Sequence, residues 1–120
     1  MRYNDFQMLN KFCCATDCDV PMDLDLIFKA LANPIRRQIL EWLKSPEHYL
    51  SAEECGGFQR GVCAGQIEKL GQVSQSTMSN HLSVLQQAGL ITATKHGQWS
   101  YFSRNEALIQ QYIEHIQQHL

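Results

Sequence analysis

The stretch Ser74–Leu90, SQSTMSNHLSVLQQAGL, decides the fold because it predicts a helix with two unlike faces. At about 100° per residue, its large apolar side chains share one side, with His81 beside them: Met78, Leu82 and Leu85. The opposite side carries short hydroxyl and amide groups and no formal charge: Ser76, Ser79, Asn80, Ser83 and Gln87. Ser74 is a good N-cap and Gly89 a natural C′ residue, so both ends of this helix are marked.

The segment before this helix has the pattern of a helix-turn-helix. Residues 62 to 70 are predicted as a short helix and Gly71-Gln72-Val73 as a tight turn. In a helix-turn-helix the second helix enters the major groove of DNA. Asn and Gln can pair bidentately with adenine there, and Ser or Thr can bond several base edges or phosphates. The polar face therefore predicts a DNA-reading surface; the alternative is a face that is only solvated.

The segment after the helix, LITATKHGQWSYFSRN, predicts a β-hairpin with a two-residue turn at His96-Gly97. Its tip carries Lys95, His96 and Gln98, which could reach an adjacent groove or a phosphate. Its aromatic residues are expected to pack in the wing and core: Trp99, Tyr101 and Phe102. Helix-turn-helix and hairpin together predict a winged helix-turn-helix, mainly α with a small β-hairpin.

Helical spacing marks three further helices. Asp23 is the predicted N-cap of a helix that ends near Asn33, and Pro34 opens the next helix, which Ser45-Pro46 stops. Residues 45 to 61 are predicted as a long loop. Asn105 caps a last helix whose apolar stripe is Ile109, Tyr112, Ile113, Ile116 and Leu120. The expected organisation is an arm with a short helix and a cysteine cluster (1–22), the winged helix-turn-helix (23–104) and a dimerisation helix (105–120).

Composition narrows the function classes. The chain has 120 residues, 44% of them hydrophobic, and a net charge of −2, as expected for one domain with a core. Residues 60 to 104 are locally basic, and a phosphate backbone requires such a patch: Arg60, Lys69, Lys95 and Arg104 stand against Glu68. No apolar run approaches about 18 residues, and the start of the chain has no signal-peptide pattern, so we expect a cytoplasmic protein without membrane contact.

The segments FKALANPIRRQIL, SQSTMSNHLSVLQQAGLI and WSYF resemble the ArsR/SmtB family of bacterial repressors, over residues 24 to 104. The resemblance implies a homodimer held by its first and last helices, which binds double-stranded operator DNA until an inducer lowers the affinity. Many members have Arg where this chain has Asn80, and Arg or Lys where it has Gln98. The recognition-helix residues carry over to Gln75, Ser76, Thr77, Ser79, Asn80 and His81.

Four other positions complete the DNA-binding prediction: Ser83, Lys95, His96 and Gln98. His81 lies near the inner side of its helix, so a packed or phosphate-facing histidine is the favoured interpretation over a base reader. Arg36 and Arg37 are expected to be solvated or paired, with a phosphate contact as the alternative. The residues predicted to form the dimer interface are Phe6, Leu9, Ile109, Tyr112, Ile113 and Ile116.

The chain has five cysteines, an odd number that fits a closed disulfide framework poorly. Family metal sensors often carry Cys-Val-Cys before the recognition helix, and here Cys63-Ala64-Gly65 keeps only the first thiol. Another layout in the family pairs vicinal cysteines near the amino terminus with a third thiol, which resembles Cys13-Cys14 with Cys55 or Cys63. Such a site suits a thiophilic inducer, As(III), Cd or Zn.

Alternatives to metal sensing by the cysteines remain open. Cys63, at a predicted helix N-terminus near Arg60, and Cys55 could instead sense oxidants or electrophiles. The cysteines could also have no role, which is the favoured interpretation for Cys18. His115 and His119 could chelate a metal, but their partner ligands are missing. An enzyme is not expected, because Cys-x-x-Cys and Ser/His/Asp arrangements are absent from the sequence; a protein-interaction module is the remaining alternative.

Overall fold

The computed structural model describes residues 22–51 and 57–120. The described chain is mainly helical with one small antiparallel sheet, in agreement with the predicted fold class. Its helices are α1 (Leu24–Leu31), α2 (Pro34–Lys44), a 3₁₀ turn (Pro46–His48), α3 (Ala64–Gly71), α4 (Gln75–Gln87) and α5 (Glu106–His119). Its strands are β1 (Val62–Cys63), β2 (Ile91–His96) and β3 (Trp99–Arg104).

Part of the predictions lies outside the described residues. The amino-terminal arm belongs to this part, as do the following predicted interface and thiol residues: Phe6, Leu9, Cys13, Cys14, Cys18 and Cys55.

The predicted N-caps of α1 and α5 are confirmed, and α2 begins at Pro34 as predicted. The side-chain oxygens of Asp23 and Asn105 each accept a hydrogen bond from a backbone N–H in the first turn of their helix, both at 3.2 Å. Asn33 accepts from two such groups at 2.8 and 3.3 Å, and Pro34 follows it at the first helical position, where a missing N–H costs nothing. These boundaries therefore follow from side chains that satisfy the free N–H groups of a helix end.

The hydrophobic core surrounds α4. Met78 and Leu85 are 0% exposed and Leu82 is 5% exposed, so the apolar face predicted for this helix is its buried face. α1, α2, α3 and β2 pack against it. Their fully buried side chains include Ile27, Ile39, Ile67 and Ile91. One face of α4 is consequently fixed inside the protein, and the other is left at the surface.

The short helix predicted over residues 62 to 70 is wrong at its first two positions. Val62 and Cys63 form β1, which pairs antiparallel with β3 and makes a three-stranded sheet in the order β1-β3-β2. Val62 is 1% exposed and lies opposite the buried Phe102. Gly61, with φ 106°, allows this approach, because a Cβ there would overlap the Phe102 carbonyl oxygen. The helix therefore begins only at Ala64.

The predicted hairpin is confirmed, but its turn lies one residue further along the chain. His96 pairs with Trp99, so Gly97-Gln98 forms the two-residue loop and His96 belongs to β2. Of these two loop residues only Gly97 has a positive φ, 65°. A hairpin turn with glycine at its first central position needs a positive φ there and not before it, so His96 stays extended.

Candidate nucleic-acid interface

The outer side of α4 is exposed and carries no formal charge. We call the side chains of Ser76, Ser79, Asn80, Ser83 and Gln87 the recognition face; all five are exposed. Gln75 and Thr77, in the first turn of the same helix, are exposed as well. Because the opposite side of α4 is held in the core, this arrangement presents hydroxyl and amide groups outward on a rigid helix. Such groups are hydrogen-bond donors and acceptors that fit base edges.

Both ends of α4 are closed by local hydrogen bonds. The Ser74 hydroxyl accepts from the Thr77 N–H at 3.2 Å and donates to the Thr77 hydroxyl at 2.8 Å. At the other end, Gly89 has φ 82°; its N–H donates to the Gln86 carbonyl, and the Leu90 N–H donates to the Leu85 carbonyl. This pair of bonds is the Schellman motif. The predicted cap and C′ residues of α4 are therefore both confirmed.

The wing lies beside the recognition face. A groove of about 290 Å³ runs between α3, α4 and β3. Its lining includes Glu68, Gln75, Ser79, Ser83 and Ser100. Paired residues of an antiparallel ladder point to the same side of the sheet, and Lys95 pairs with Ser100, so Lys95 belongs to the groove side of the wing. The recognition face and the wing thus border the same groove.

The wing tip itself is exposed. Lys95, His96 and Gln98 all have exposed side chains, and Trp99, opposite His96, is 53% exposed. Trp99 is therefore not packed in the core as expected, because it points to the outer side of the wing. Phe102, on the inner side, is 8% exposed and does pack as predicted.

His81 differs from the other candidates for DNA contact, because it is only 8% exposed. Its Nδ1 lies 3.2 Å from Nη1 of Arg36. Burial, and then the charge of Arg36, lower the pKa of His81, so the neutral imidazole is favoured. His81 accordingly lies beneath the recognition face and takes no part in the exposed surface, in line with the packed interpretation.

The positive charges near this surface are of two kinds. Arg60, Lys69 and Lys95 have exposed side chains and could meet phosphates. Arg104, counted with them in the sequence, instead forms an ion pair with Glu106 at 2.9 Å. Arg36 and Arg37 are paired as expected: both donate to backbone carbonyl oxygens in the last turn of α1. The sequence could not distinguish these two kinds, because each pairing depends on the fold.

Of the four cysteines predicted as metal ligands, only Cys63 lies in the described part of the chain. Cys63 has a free thiol, is partly exposed and occupies the N-cap position of α3. Within residues 22–51 and 57–120, no three His, Cys, Asp or Glu side chains lie close enough to hold a metal. His115 is 7% exposed, and its ring centroid is 4.3 Å from that of His119. Burial, and then the charge of His119, lower the pKa of His115.

An exposed apolar patch joins α1 to α5. Phe28 and Ile113 are 47% and 41% exposed, and the Phe28 ring packs edge-on against Tyr112 with centroids 6.1 Å apart. We call Phe28, Tyr112 and Ile113 the α1–α5 patch. Phe28 follows the buried Ile27 on α1, and its exposure could not be predicted from the sequence, because the boundary of the buried side depends on how α1 packs against α4. The other α5 candidates, Ile109 and Ile116, are partly buried.

None of the helices in the described part of the chain combines the length and apolar character needed to cross a membrane.

Comparison with known proteins gives consistent matches. The sequence model of the family "bacterial regulatory protein, arsR family" matches residues 59–93, which run from β1 into β2. An uncharacterized HTH-type transcriptional regulator of Bacillus subtilis, YbzH, is 42% identical over 84 residues, 69% of this chain and 84% of that protein. The transcriptional repressor SdpR of the same organism is 32% identical over 87 residues, 72% of this chain and 81% of that protein.

A third relative is a putative arsenical resistance operon repressor of Halobacterium salinarum, ArsR2. It is 33% identical over 94 residues, 78% of this chain and 72% of that protein. Among solved structures, the homodimeric winged helix-turn-helix DNA-binding domain of Mb0332 from Mycobacterium bovis has a TM-score of 0.54 and 22% identity, covering 78% of this chain and 75% of that one. The fold is therefore shared with Mb0332, and the sequence identities to YbzH, SdpR and ArsR2 show that this chain is related to those proteins. This chain belongs to the arsR family of bacterial regulatory proteins, and its helix-turn-helix is that of a transcriptional regulator rather than part of an enzyme.

Proposed function

We propose that this protein is a cytoplasmic, homodimeric repressor that reads palindromic operator DNA with α4 and is released by a signal at its cysteine thiols. One observation carries the DNA-binding part: α4 buries its apolar face completely and leaves the recognition face exposed beside a wing that carries Lys95. A helix fixed on one side and polar on the other can enter a major groove without rearrangement of the core.

The side chains of this surface would have two functions, readout of bases and neutralisation of phosphates. Asn80, Gln75 and Gln87 carry amides that can pair with adenine, and the serines can bond several base edges, so sequence is read by neutral groups. Lys95, Arg60 and Lys69 are exposed cations that can neutralise phosphates, which sets affinity and register without reading sequence. Substitutions at the two kinds of residue should therefore have separable effects.

A homodimer is supported by the α1–α5 patch. Phe28 and Ile113 are exposed apolar side chains on two helices that touch through the Phe28 and Tyr112 rings, and a second copy could cover them. The Mb0332 domain, which shares the fold, is itself described as homodimeric. A two-fold axis would place the two copies of α4 in successive major grooves, about one helical turn apart.

The inducer we propose is a thiophilic ion, As(III), Cd or Zn, held by Cys13, Cys14 and either Cys55 or Cys63. Cys63 supports this, because it is partly exposed at the start of α3, and α3 packs directly against α4. The name of ArsR2 refers to arsenical resistance, whereas that of SdpR does not, so relatives of this chain differ in this respect. Oxidation or electrophile attack at Cys63 or Cys55 is the second candidate signal, favoured by the free thiol of Cys63.

The DNA-binding part is tested with a duplex selected by the wild-type protein from a random-sequence pool. Lys95→Gln should weaken all duplexes alike and lower the slope of log affinity against log salt by about 2 per dimer, since each lost phosphate contact contributes about 0.9. Asn80→Ala should leave the slope unchanged and relax base preference at one position of each half-site. Fluorescence anisotropy over a salt series measures both quantities.

Neither variant should bind like the wild type. If both do, the surface is not the DNA interface, and a protein-interaction module becomes the better assignment. The sensing part is tested separately by adding arsenite, Cd, Zn or peroxide to the complex with Cys13→Ser, Cys55→Ser and Cys63→Ser as variants. Unchanged affinity of the wild type with all four agents would remove the thiol signal and leave DNA binding standing.

A further inference from the structure

Arg36 connects three helices through one guanidinium. The residue lies in the first turn of α2, and its Nε and Nη2 donate to the carbonyl oxygens of Ala30 and Lys29 at 2.9 and 3.2 Å. These carbonyls belong to the C-terminal end of α1, where a cation is electrostatically favoured. The remaining nitrogen, Nη1, meets Nδ1 of His81 on α4 at 3.2 Å. The side chain therefore ties the recognition helix to the end of α1.

The direction of the last bond defines the protonation of His81. A guanidinium has donors and no acceptor, so Nδ1 must supply the lone pair. The imidazole is then neutral, with its hydrogen on Nε2. Its surroundings agree, since the side chain is 8% exposed and both burial and the neighbouring charge of Arg36 lower its pKa. A second proton would remove the acceptor and place a cation against the guanidinium.

The contact lies where it can move the recognition face. His81 follows Ser79 and Asn80 directly on α4, on the opposite side of the helix. The C-terminal end of α4 is held independently, because the Asn105 N–H donates to the Leu90 carbonyl at 2.9 Å. Loss of the Arg36 contact would therefore loosen the DNA-facing part of α4, whose apolar side stays buried, while its far end stays attached.

We propose that Arg36 is a positioning residue for DNA binding, which holds α4 through neutral His81, so that acidification releases the recognition face and weakens operator binding. This inference rests on the proposed function, because it concerns the same surface. In this proposal Arg36 acts on DNA binding through His81 rather than by contact with DNA.

The other charged groups around α4 do not change the role assigned to Arg36 and His81. The elements packed against α4 carry the following charged or titratable side chains: Asp25 and Lys29 on α1; Arg36, Arg37, Glu41 and Lys44 on α2; Glu68 and Lys69 on α3; Lys95 and His96 on β2. Of these, Arg36 is the one whose charge acts on the pKa of His81. His96, a second histidine of the proposed DNA surface, is exposed at the wing tip. The pH dependence is therefore measured in a His96→Gln background.

The sign of the pH effect follows from the lowered pKa. His81 is neutral in both folded and unfolded chains above its ordinary value of 6.5, so the contact is fully present there. As the pH falls from that value through the lower pKa of the folded protein, the unfolded chain binds the proton more readily, and the contribution of neutral His81 to stability is lost. Operator affinity should fall in the same direction.

The experiment compares two neighbouring arginines. Arg36→Gln should weaken binding to the pool-selected duplex by about tenfold or more at pH 7.5, the worth of a hydrogen bond from a charged group. Arg37→Gln is the matched control: Arg37 donates to the Leu31 carbonyl of α1 and has no contact with His81, so its affinity should stay within about twofold of the wild type. Equal affinities of the two variants would overturn the proposal.

His81→Asn separates positioning from general damage to the fold. The Asn Oδ1 lies near the place of the imidazole Nδ1 and can accept from Arg36, but it does not titrate. As the pH falls from 7.5 through the lowered pKa of His81, the His96→Gln protein should lose affinity several-fold, and the double variant with His81→Asn should show a flat profile. A loss of the same size in both proteins would contradict the proposal.

A readout without DNA keeps this inference distinct from the proposed function. Nitrogen NMR of the histidine rings should show an unprotonated Nδ1 for His81 at pH 7.5 and should follow the protonation of this ring as the pH falls. Hydrogen exchange should show reduced protection of α4 amides once His81 is protonated. A proton on Nδ1 at pH 7.5 would refute the Arg36 contact, and unchanged protection in the protonated state would refute its positioning role, even if the protein binds DNA. Failure of the wild type to select any duplex, with both NMR results as expected, would instead refute the repressor assignment alone.

Discussion

The end of α3 needs one residue in the left-handed backbone conformation and one position without a side chain. A single glycine often meets both requirements, but here Gln72 meets the first and Gly71 the second. Gln72 follows the last residue of α3 and has φ 54°, the left-handed conformation that glycine adopts at lowest cost. The glycine stands one position earlier, because a Cβ on Gly71 would overlap the Cε of Met78 on α4. Close contact between α3 and α4 therefore determines the place of the glycine, and Gln72 carries the strained backbone.

Two Gly→Ala substitutions in α3 should consequently have opposite effects. Gly71→Ala should lower the free energy of unfolding by about 1 kcal/mol, the lower end of the cost of overpacking, since the added methyl meets the Cε of Met78, the end of a flexible side chain that can shift. Gly65→Ala should raise it by about 0.4–1 kcal/mol, since the nearest atom outside its own helix is 4.0 Å away and alanine restricts the unfolded chain. Urea denaturation measures both values; a destabilised Gly65→Ala protein, or a neutral Gly71→Ala protein, would contradict this account.

Among the elements, α4 depends on its N-cap for stability more than a helix with charged side chains would. It has no Asp, Glu, Lys or Arg, so no charged side chain compensates its dipole, and the Ser74 hydroxyl carries this task through its bonds to Thr77. Glycine at position 89 closes the other end with φ 82°. A helix that must present neutral groups to DNA is thus stabilised by caps and by burial of its inner face.

Two substitutions at Ser74 should separate stability from DNA affinity. Ser74→Ala should lower the free energy of unfolding by about 1 kcal/mol because the first turn loses its cap. Ser74→Asp should keep the stability of the wild type, since Asp is an equally good cap, yet weaken operator binding because its carboxylate faces phosphates. Thermal unfolding and fluorescence anisotropy give the two quantities. If Ser74→Asp binds DNA as the wild type does, the start of α4 does not approach the phosphate backbone.

At the scale of the whole molecule, α1 links the recognition helix to the proposed dimer surface. Its C-terminal carbonyls accept from Arg36, which reaches His81 of α4, and its Phe28 packs against Tyr112 of α5. A structural change at the surface between two copies could therefore be transmitted to α4 through these packed side chains. The physical requirement is that α1 moves as one body, which its eight residues and its Asp23 cap favour.

The dimer itself is tested at Ile113. Ile113→Asp places a carboxylate in the middle of the α1–α5 patch and should raise the dimer dissociation constant by about tenfold or more, because an apolar contact is lost and a charge is buried. Tyr49→Asp is a suitable control, because Tyr49 is similarly exposed (40%) and lies in neither α1 nor α5. Sedimentation velocity over a concentration series measures the dissociation constant. Equal effects of the two substitutions would exclude this patch as the interface.

Local chemistry explains which elements could be predicted. Asp23, Asn33, Ser74 and Asn105 each satisfy backbone groups within three residues, so their helices begin where the sequence places them. β1 could not be found in this way, because Val62 and Cys63 are extended only through pairing with β3. The hairpin turn was misplaced by one residue for the same reason: the register of His96 with Trp99 is a property of two strands together.

In the candidate DNA-binding site, too, local patterns could be predicted from the sequence and contacts between distant segments could not. Helical periodicity was enough to predict which side of α4 is polar and exposed. It could not reveal that Arg36, far away in sequence, meets His81, or that Arg104 is neutralised by Glu106. The exposure of Phe28 was equally hidden, because it depends on the angle at which α1 crosses the core.

The sequence by itself determined the two faces of α4, the N-caps of α1, α4 and α5 and the existence of a wing, because each depends on side chains within a few residues of one another. The tertiary structure decided which cations are left for phosphate, how the recognition helix is tied to α1 through Arg36 and His81, and which apolar side chains remain uncovered. These depend on distances between segments remote in the chain, and only packing of the whole core sets such distances.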